Sequence, residues 1–199
     1  EQQVYALRDL RPSAYTGTPS FLKIILEKAD EMGVDSCCLR KAVVTGEALP
    51  ASLRQWFMAR SITVHQCYAT ADLGLIAYET TPDGGLWIDE GVMVEIIDVG
   101  SGVPVAGDAV GEVVVTLLNT PDYPLVRFAT GDLSAWLPVQ PSPCGRTAQR
   151  IKGWLGRADQ TTKIKGMFVH PHQISAVAKR HPELEKVRLQ VTWHENSDR

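Results

Sequence analysis

Four short segments of this 199-residue chain set groups with binding chemistry beside glycine or small residues. In Gly46-Glu47-Ala48-Leu49-Pro50 a permissive Gly and a small Ala follow an apolar run, so a planar ring can approach the main chain closely. An ordinary strand-to-helix turn is the other reading. Tyr68-Ala69-Thr70-Ala71-Asp72 offers an aromatic face, a hydroxyl and a carboxylate in what reads as one loop after a strand. That set can stack a base, bind a phosphate oxygen and help hold Mg²⁺, or it is a turn capped by Thr70 or Asp72. Thr130-Gly131-Asp132 follows a strand-like Pro124 to Phe128, and the two oxygens of Asp132 suit the two hydroxyls of a ribose. A hairpin turn fits the same triplet. Gly156-Arg157-Ala158-Asp159, with Lys163-Ile164-Lys165-Gly166, brings cations that meet phosphates or form a solvated surface.

The elements that must hold these segments follow from periodicity. Thr18 caps and Pro19 opens a helix in which Phe21, Leu22, Ile25, Ala29 and Met32 recur at spacings of three and four, and Gly33 ends it. A strand over Leu39 to Thr45 leads into the first segment, a second helix carries Leu53, Trp56 and Phe57, and Ile62 to His65 reads as the next strand. This alternation predicts an α/β architecture. From about residue 74 strands alternate with Gly and Pro turns, at Leu75 to Glu79, Leu86 to Asp89, Val92 to Asp98, Glu112 to Leu118 and Leu133 to Leu137. Two sheets or a small barrel accommodate them. A short helix behind Pro171 and an alternating strand through Val187, Leu189 and Val191 close the chain, although that strand needs partners.

Composition narrows the function classes. The chain is 44% hydrophobic and 22% charged with a net charge of -3, and no basic stripe matches a nucleic-acid backbone. No apolar run approaches the roughly 18 residues needed to span a bilayer, and residue 1 reads as lying inside a running sequence without an export signal. Cys37, Cys38, Cys67 and Cys144 match neither a paired zinc motif nor a disulfide framework, so the expected compartment is the cytoplasm. Cys37, Cys38 and Cys67 read as small packed residues, and His170 and His172 as surface groups.

In order, GEALP, YATAD, YPLVRFATGD and GRADQTTKIKG resemble the adenylate-forming superfamily of acyl-CoA synthetases, adenylation domains and luciferases. The runs PSAYTGTPSFL and PCGRTAQRIKGWLGRADQTTKIKGMFVHPHQI, with the Pro-Leu-Val-Arg that ends at Arg127, are similar to the phenylacetate–CoA ligase branch. The resemblance implies the second half of an adenylate-forming large domain, a mixed sheet plus a small β-barrel, over residues 1–155. An incomplete α+β mobile domain would occupy 160–199, with the hinge at Asp159. It implies that Glu47 and Ala48 lie along the adenine of ATP or AMP, that Tyr68 stacks on it and that Thr70 contacts the α-phosphate. Asp72 would help bind Mg²⁺, Asp132 would hold the ribose hydroxyls, Arg157 would reach the ribose or phosphate, and Gly166 would line the passage for coenzyme A. The expected reaction is ATP-dependent adenylation of an aryl or related carboxylic acid, followed by acyl transfer to coenzyme A. The family's Ser/Thr/Gly-rich phosphate loop and its C-terminal catalytic Lys have no counterpart in these residues, so the chain alone is expected to be inactive.

The family pattern usually has Gly at position 69 and Glu at position 72; here Ala69 narrows the loop and Asp72 shortens the carboxylate by one methylene. Zinc-binding relatives place ligands where this chain has Thr80, Trp87, Ser142 and Cys144, and one Cys does not make a tetrahedral site. Two other readings remain open: an enzyme that loads a carrier-protein pantetheine or stops at the adenylate, and a degenerate non-catalytic homologue serving as a binding domain. Neither the acid nor the oligomeric state is legible. The cysteine count generates one expectation: purified protein carries no stoichiometric zinc by elemental analysis, and one zinc per chain would contradict it.

Overall fold

The N-terminal stretch alternates helix and strand as α1 (Gln2–Leu10), β1 (Ala14–Gly17), α2 (Pro19–Glu31), β2 (Lys41–Val44), α3 (Ala51–Met58) and β3 (Thr63–Thr70). The remaining strands are β4 (Gly74–Tyr78), β5 (Leu86–Ile88), β6 (Val92–Ile97), β7 (Gly111–Leu117), β8 (Phe128–Ser134), β9 (Arg150–Ile151) and β10 (Gly156–Arg157). After a single 3₁₀ turn at Ala158–Gln160 come β11 (Thr162–Ile164), β12 (Met167–Val169), α4 (Pro171–Arg180), β13 (Trp193–His194) and β14 (Ser197–Asp198). This computed structural model describes residues 1–199 apart from 82–83, 143–144, 161, 165–166, 182, 185–186, 191–192, 195–196 and 199, and only the backbone of 162–164, 167–168, 171–172, 193–194 and 197–198.

The chain divides into two compact units, Glu1–Val92 with Pro141–Ile151, and Met93–Gln140 with Lys152–Arg199. The first holds a mixed six-stranded sheet in the order β1-β2-β3-β4-β5-β9, parallel through β1, β2 and β3 and antiparallel beyond. Its helices lie on one face. Val4 and Leu7 of α1, Leu22, Leu26 and Ala29 of α2, and Phe57 of α3 form one buried cluster with Ala42, Val44 and Val64 of the strands. Each large side chain so buried contributes about 1.5–3 kcal/mol. The α2 start follows the expectation: Thr18 Oγ1 accepts from the Phe21 amide at 3.4 Å and Pro19 takes the first helical position. Phe21 itself points to solvent and Leu26 fills the core in its place.

A buried ion pair ties α3 to the sheet. The Arg54 guanidinium donates to Glu79 at 2.8 and 3.1 Å and to the Val64 carbonyl at 2.6 Å. Glu79 also accepts from the Gln66 amide at 2.7 Å, and both charged side chains are at most 4% exposed. Charges removed from water this far are costly unless every lone pair is met, and these converge on one another and on backbone.

The second unit contains a four-stranded antiparallel sheet in the order β10-β8-β7-β6. Among the described residues it stays open, so it is not the small barrel expected: β10 is two residues long, and closure needs staggered strands of adequate length at both edges. The helix behind Pro171 forms as α4, with the His170 amide donating to Gln173 Oε1 at 2.8 Å. Residues 187–190 do not form the expected strand; none of them joins a ladder, and an extended segment without a ladder gains no backbone bonds. Val191 lies outside the described residues.

Removing one member of the Arg54–Glu79 pair strands a buried charge. Arg54→Met and Glu79→Met are each expected to lose about 3–5 kcal/mol in urea denaturation, and the double variant to recover much of that loss. Single variants as stable as the parent chain would contradict this account.

Candidate functional site

In the first unit the three parallel strands end at the same edge, and their carboxyl ends carry Gly17-Thr18, Gly46-Glu47-Ala48 and Tyr68-Ala69-Thr70. Ligands of α/β sheets sit outside such ends. The loop after β2 is pinned to its neighbours: the Thr45 amide donates to the Gly17 carbonyl at 3.0 Å, and Glu47 Oε2 accepts from the Ser20 amide at 3.4 Å at the positive end of α2. Gly46 turns at φ +78, with Thr18 Cγ2 3.6 Å from where a Cβ would stand. Glu47 and Ala48 are exposed, whereas Leu49 anchors the loop in the core. The Tyr15 hydroxyl donates to the Thr18 carbonyl at 3.1 Å, and burial, then the Glu47 carboxylate, push this phenol above its usual pKa.

Tyr68, Ala69 and Thr70 lie on β3 itself and not in a loop, which corrects the sequence reading. The strand continues because β4 pairs with it, Tyr68 opposite Ala77 and Ala69 opposite Leu75, with Ile76 as the extra residue of a bulge. Tyr68 is buried, Thr70 half-buried and Asp72 exposed in the turn that follows. Thr70 Oγ1 accepts from the Leu73 amide at 3.1 Å, so this hydroxyl does cap that turn. Burial pushes the Cys67 thiol up despite a hydrogen bond with Thr45, as befits a packed residue and not a nucleophile.

The second unit gathers another set. Thr130-Gly131-Asp132 is no hairpin turn but a bulge inside β8: Ala129 faces Val114 and Leu133 faces Glu112, leaving three residues of β8 opposite Val113. Three bonds hold the bulge. Thr130 Oγ1 donates to the Val113 carbonyl at 2.8 Å, the Gly131 amide donates to Glu112 Oε1 at 3.0 Å, and the Asp132 amide donates to Thr130 Oγ1 at 3.1 Å. Gly131 adopts φ +73, and a Cβ there would stand 2.6 Å from Arg157 Nη2. Arg157 thus packs against a glycine whose left-handed backbone other residues rarely adopt.

Across the ladder Arg157 pairs with Asp132, and its Nη1 meets the Thr130 carbonyl at 3.1 Å and Asp132 Oδ1 at 3.3 Å. Its Nε stands 3.5 Å from Asp159 Oδ1. Partial burial opposes the guanidinium charge, but Asp132 and then Asp159 outweigh it and hold the pKa above its usual value. The Trp154 indole Nε1 also donates to Asp132 Oδ1, at 3.0 Å. Glu112 and Trp154 were not singled out from the sequence, because a bulge register is invisible to spacing. Asp132, Arg157 and Asp159 therefore belong to one cluster, Glu47, Ala48, Tyr68, Thr70 and Asp72 belong to the first unit, and Gly166 lies outside the described residues.

Trp87 is buried with the Arg150 guanidinium 5.2 Å from its ring centre, and Arg146 Nε donates to the Tyr78 hydroxyl at 2.7 Å. Cys144 lies outside the described residues, among which no group of three potential ligands clusters. Among the same residues no helix is long and apolar enough to cross a membrane.

A model of the AMP-binding enzyme family matches residues 2–118, more than half of the chain, and the chain belongs to that family. Phenylacetate-coenzyme A ligase of Thermus thermophilus is 30% identical over 192 residues, which cover 92% of this chain and 43% of that protein. The enzyme of the same name from Escherichia coli is 30% identical over 183 residues, covering 87% and 41%. Among solved structures, an open conformation of 2-hydroxyisobutyryl-CoA ligase in complex with 2-HIB-AMP and CoA superimposes with a TM-score of 0.78 at 25% identity, over 90% of this chain and 44% of that one. An amide bond synthetase from Marinactinospora thermotolerans shares the fold, with a TM-score of 0.67 at 20% identity over 98% and 42%. The chain spans about two fifths of the length of the curated relatives it matches.

The packing at Gly131 generates a test. Gly131→Ala is expected to cost about 1–3 kcal/mol in urea denaturation by forcing a strained backbone and displacing Arg157. A variant of unchanged stability would show that position 131 does not depend on its left-handed backbone.

Proposed function

We propose that this chain supplies the adenosine-binding side of an ATP-dependent acid–thiol ligase acting on an aryl or related carboxylic acid. The observation that carries the reading is the arrangement around Asp132: a carboxylate raised on a bulge, held by fixed donors, in a chain of the AMP-binding enzyme family. In this reading residues 1–155 belong to the large domain, 160–199 begin a mobile domain, and Asp159 is the hinge.

A carboxylate oxygen of the acid attacks the α-phosphorus of ATP, the bond to the bridging oxygen breaks, and pyrophosphate leaves with an acyl-adenylate formed. The sulfur of coenzyme A then attacks the acyl carbon and AMP departs. The chain's residues orient and screen. Asp132 accepts from the ribose hydroxyls, Glu47 and Ala48 border the adenine, and Tyr68 offers a ring edge or face to it. Thr70 meets the α-phosphate by its hydroxyl, which accepts from the Leu73 amide and still has a proton to donate. Arg157 is charged throughout and offsets negative charge at the ribose and phosphate.

Asp72 is exposed and suits a cation that takes one or two carboxylates and completes its shell with water and phosphate oxygens, as Mg²⁺ does. Bound there, Mg²⁺ would neutralise charge gathering on the phosphates. Gly166 is proposed to line the path of coenzyme A, where a side chain would narrow it.

Full-length protein is expected to release pyrophosphate with one or more acids of an aryl carboxylate panel and to consume coenzyme A in proportion. Formation of the acyl-adenylate with no transfer of the acyl group to coenzyme A would favour a carrier-protein acceptor. No release of pyrophosphate with any acid of the panel would leave a binding domain in place of a ligase. The 199-residue chain alone is expected to show weak nucleotide binding and no exchange of pyrophosphate into ATP.

A further inference from the structure

Residues 152–157 run antiparallel along the end of β8. The Lys152 amide donates to the Ala135 carbonyl at 2.9 Å, the Leu155 amide to the Leu133 carbonyl at 2.9 Å, and the Ser134 hydroxyl to the Gly153 carbonyl at 2.7 Å. Gly153 at φ +92 and Gly156 at φ +136 bracket Trp154 with backbone conformations that other residues rarely adopt. The indole is therefore delivered by a built segment. Trp154 is 53% exposed, so burial is not its main contribution, yet its Nε1 reaches the same Asp132 oxygen that Arg157 meets.

We propose that Trp154 is a positioning residue that aims the Asp132 carboxylate at the paired hydroxyls of a nucleotide's ribose; this rests on the function proposed above. The two donors on Asp132 differ in kind. Arg157 brings a charge that draws on the carboxylate, whereas an indole N–H is neutral and fixes its orientation without cancelling its negative charge. A carboxylate so oriented remains a strong acceptor for incoming hydroxyls.

The test titrates the 199-residue chain with AMP and with 2′,3′-dideoxy-AMP while following the indole N–H resonances of its five tryptophans. Three forms are compared: the unaltered chain, Trp154→Phe, which keeps a ring and removes the donor, and Asp132→Asn. The unaltered chain is expected to prefer AMP, and the Trp154 indole to move with AMP more than with the dideoxy nucleotide. Trp154→Phe is expected to weaken AMP about tenfold, leave the dideoxy nucleotide nearly unchanged and so lose the preference. Equal weakening of both nucleotides, or none, overturns the positioning role while leaving the site standing. If Trp154→Phe does not fold, an unaltered-chain indole that responds identically to both nucleotides overturns it. If Asp132→Asn keeps the full preference, or the unaltered chain has none, the ribose site falls and this inference with it.

Discussion

Arg54 and Glu79 give up their water together, one from the first turn of α3 and the other from the end of β4, and each would be untenable in the interior without its partner. The pair closes around the Val64 carbonyl and the Gln66 amide, both on β3. Helix α3 is thereby fixed against the strand that carries Tyr68, and the loop at residues 45–50, which feeds α3, has both ends determined. Leu49 in the core and the Thr45 amide on Gly17 complete the anchoring. Glu47 and Ala48 can then stay exposed without being loosely placed.

The second unit solves a similar problem with backbone. A polar triplet inside a strand leaves ladder groups unmet, and Thr130, Glu112 and Gly131 supply the bonds that the bulge removes. The result takes Asp132 out of register with β7 while it stays paired with Arg157 of β10 and meets Trp154. Gly131 is favoured by its positive φ, and a Cβ there would also displace the guanidinium beside it.

Local signals in the sequence were enough for some elements. Thr18-Pro19 and Gly33 bound α2 because capping and left-handed conformations are properties of single residues, and the loop at Gly46 lies between strand and helix as its neighbours imply. Features set by pairing partners were not legible. Tyr68 to Thr70 reads as loop until β4 pairs with it, and Thr130-Gly131-Asp132 reads as a turn until β7 is seen to continue past it. Arg54 and Glu79 are 25 positions apart, and no periodicity joins them. The family motifs narrowed what spacing alone left open, and the family is the part of that reading that the comparisons bear out.

Of the function proposed above, the part that most needs a direct test is that adenine is bound by the first unit's residues at Glu47 and Tyr68. Photolabelling with 8-azido-AMP, followed by peptide mapping, tests it most directly. The expected label falls on residues 46–48 or Tyr68 and is displaced by AMP. Label confined to another region, such as the cavity lined by His170, Ile174 and Leu189, would contradict it.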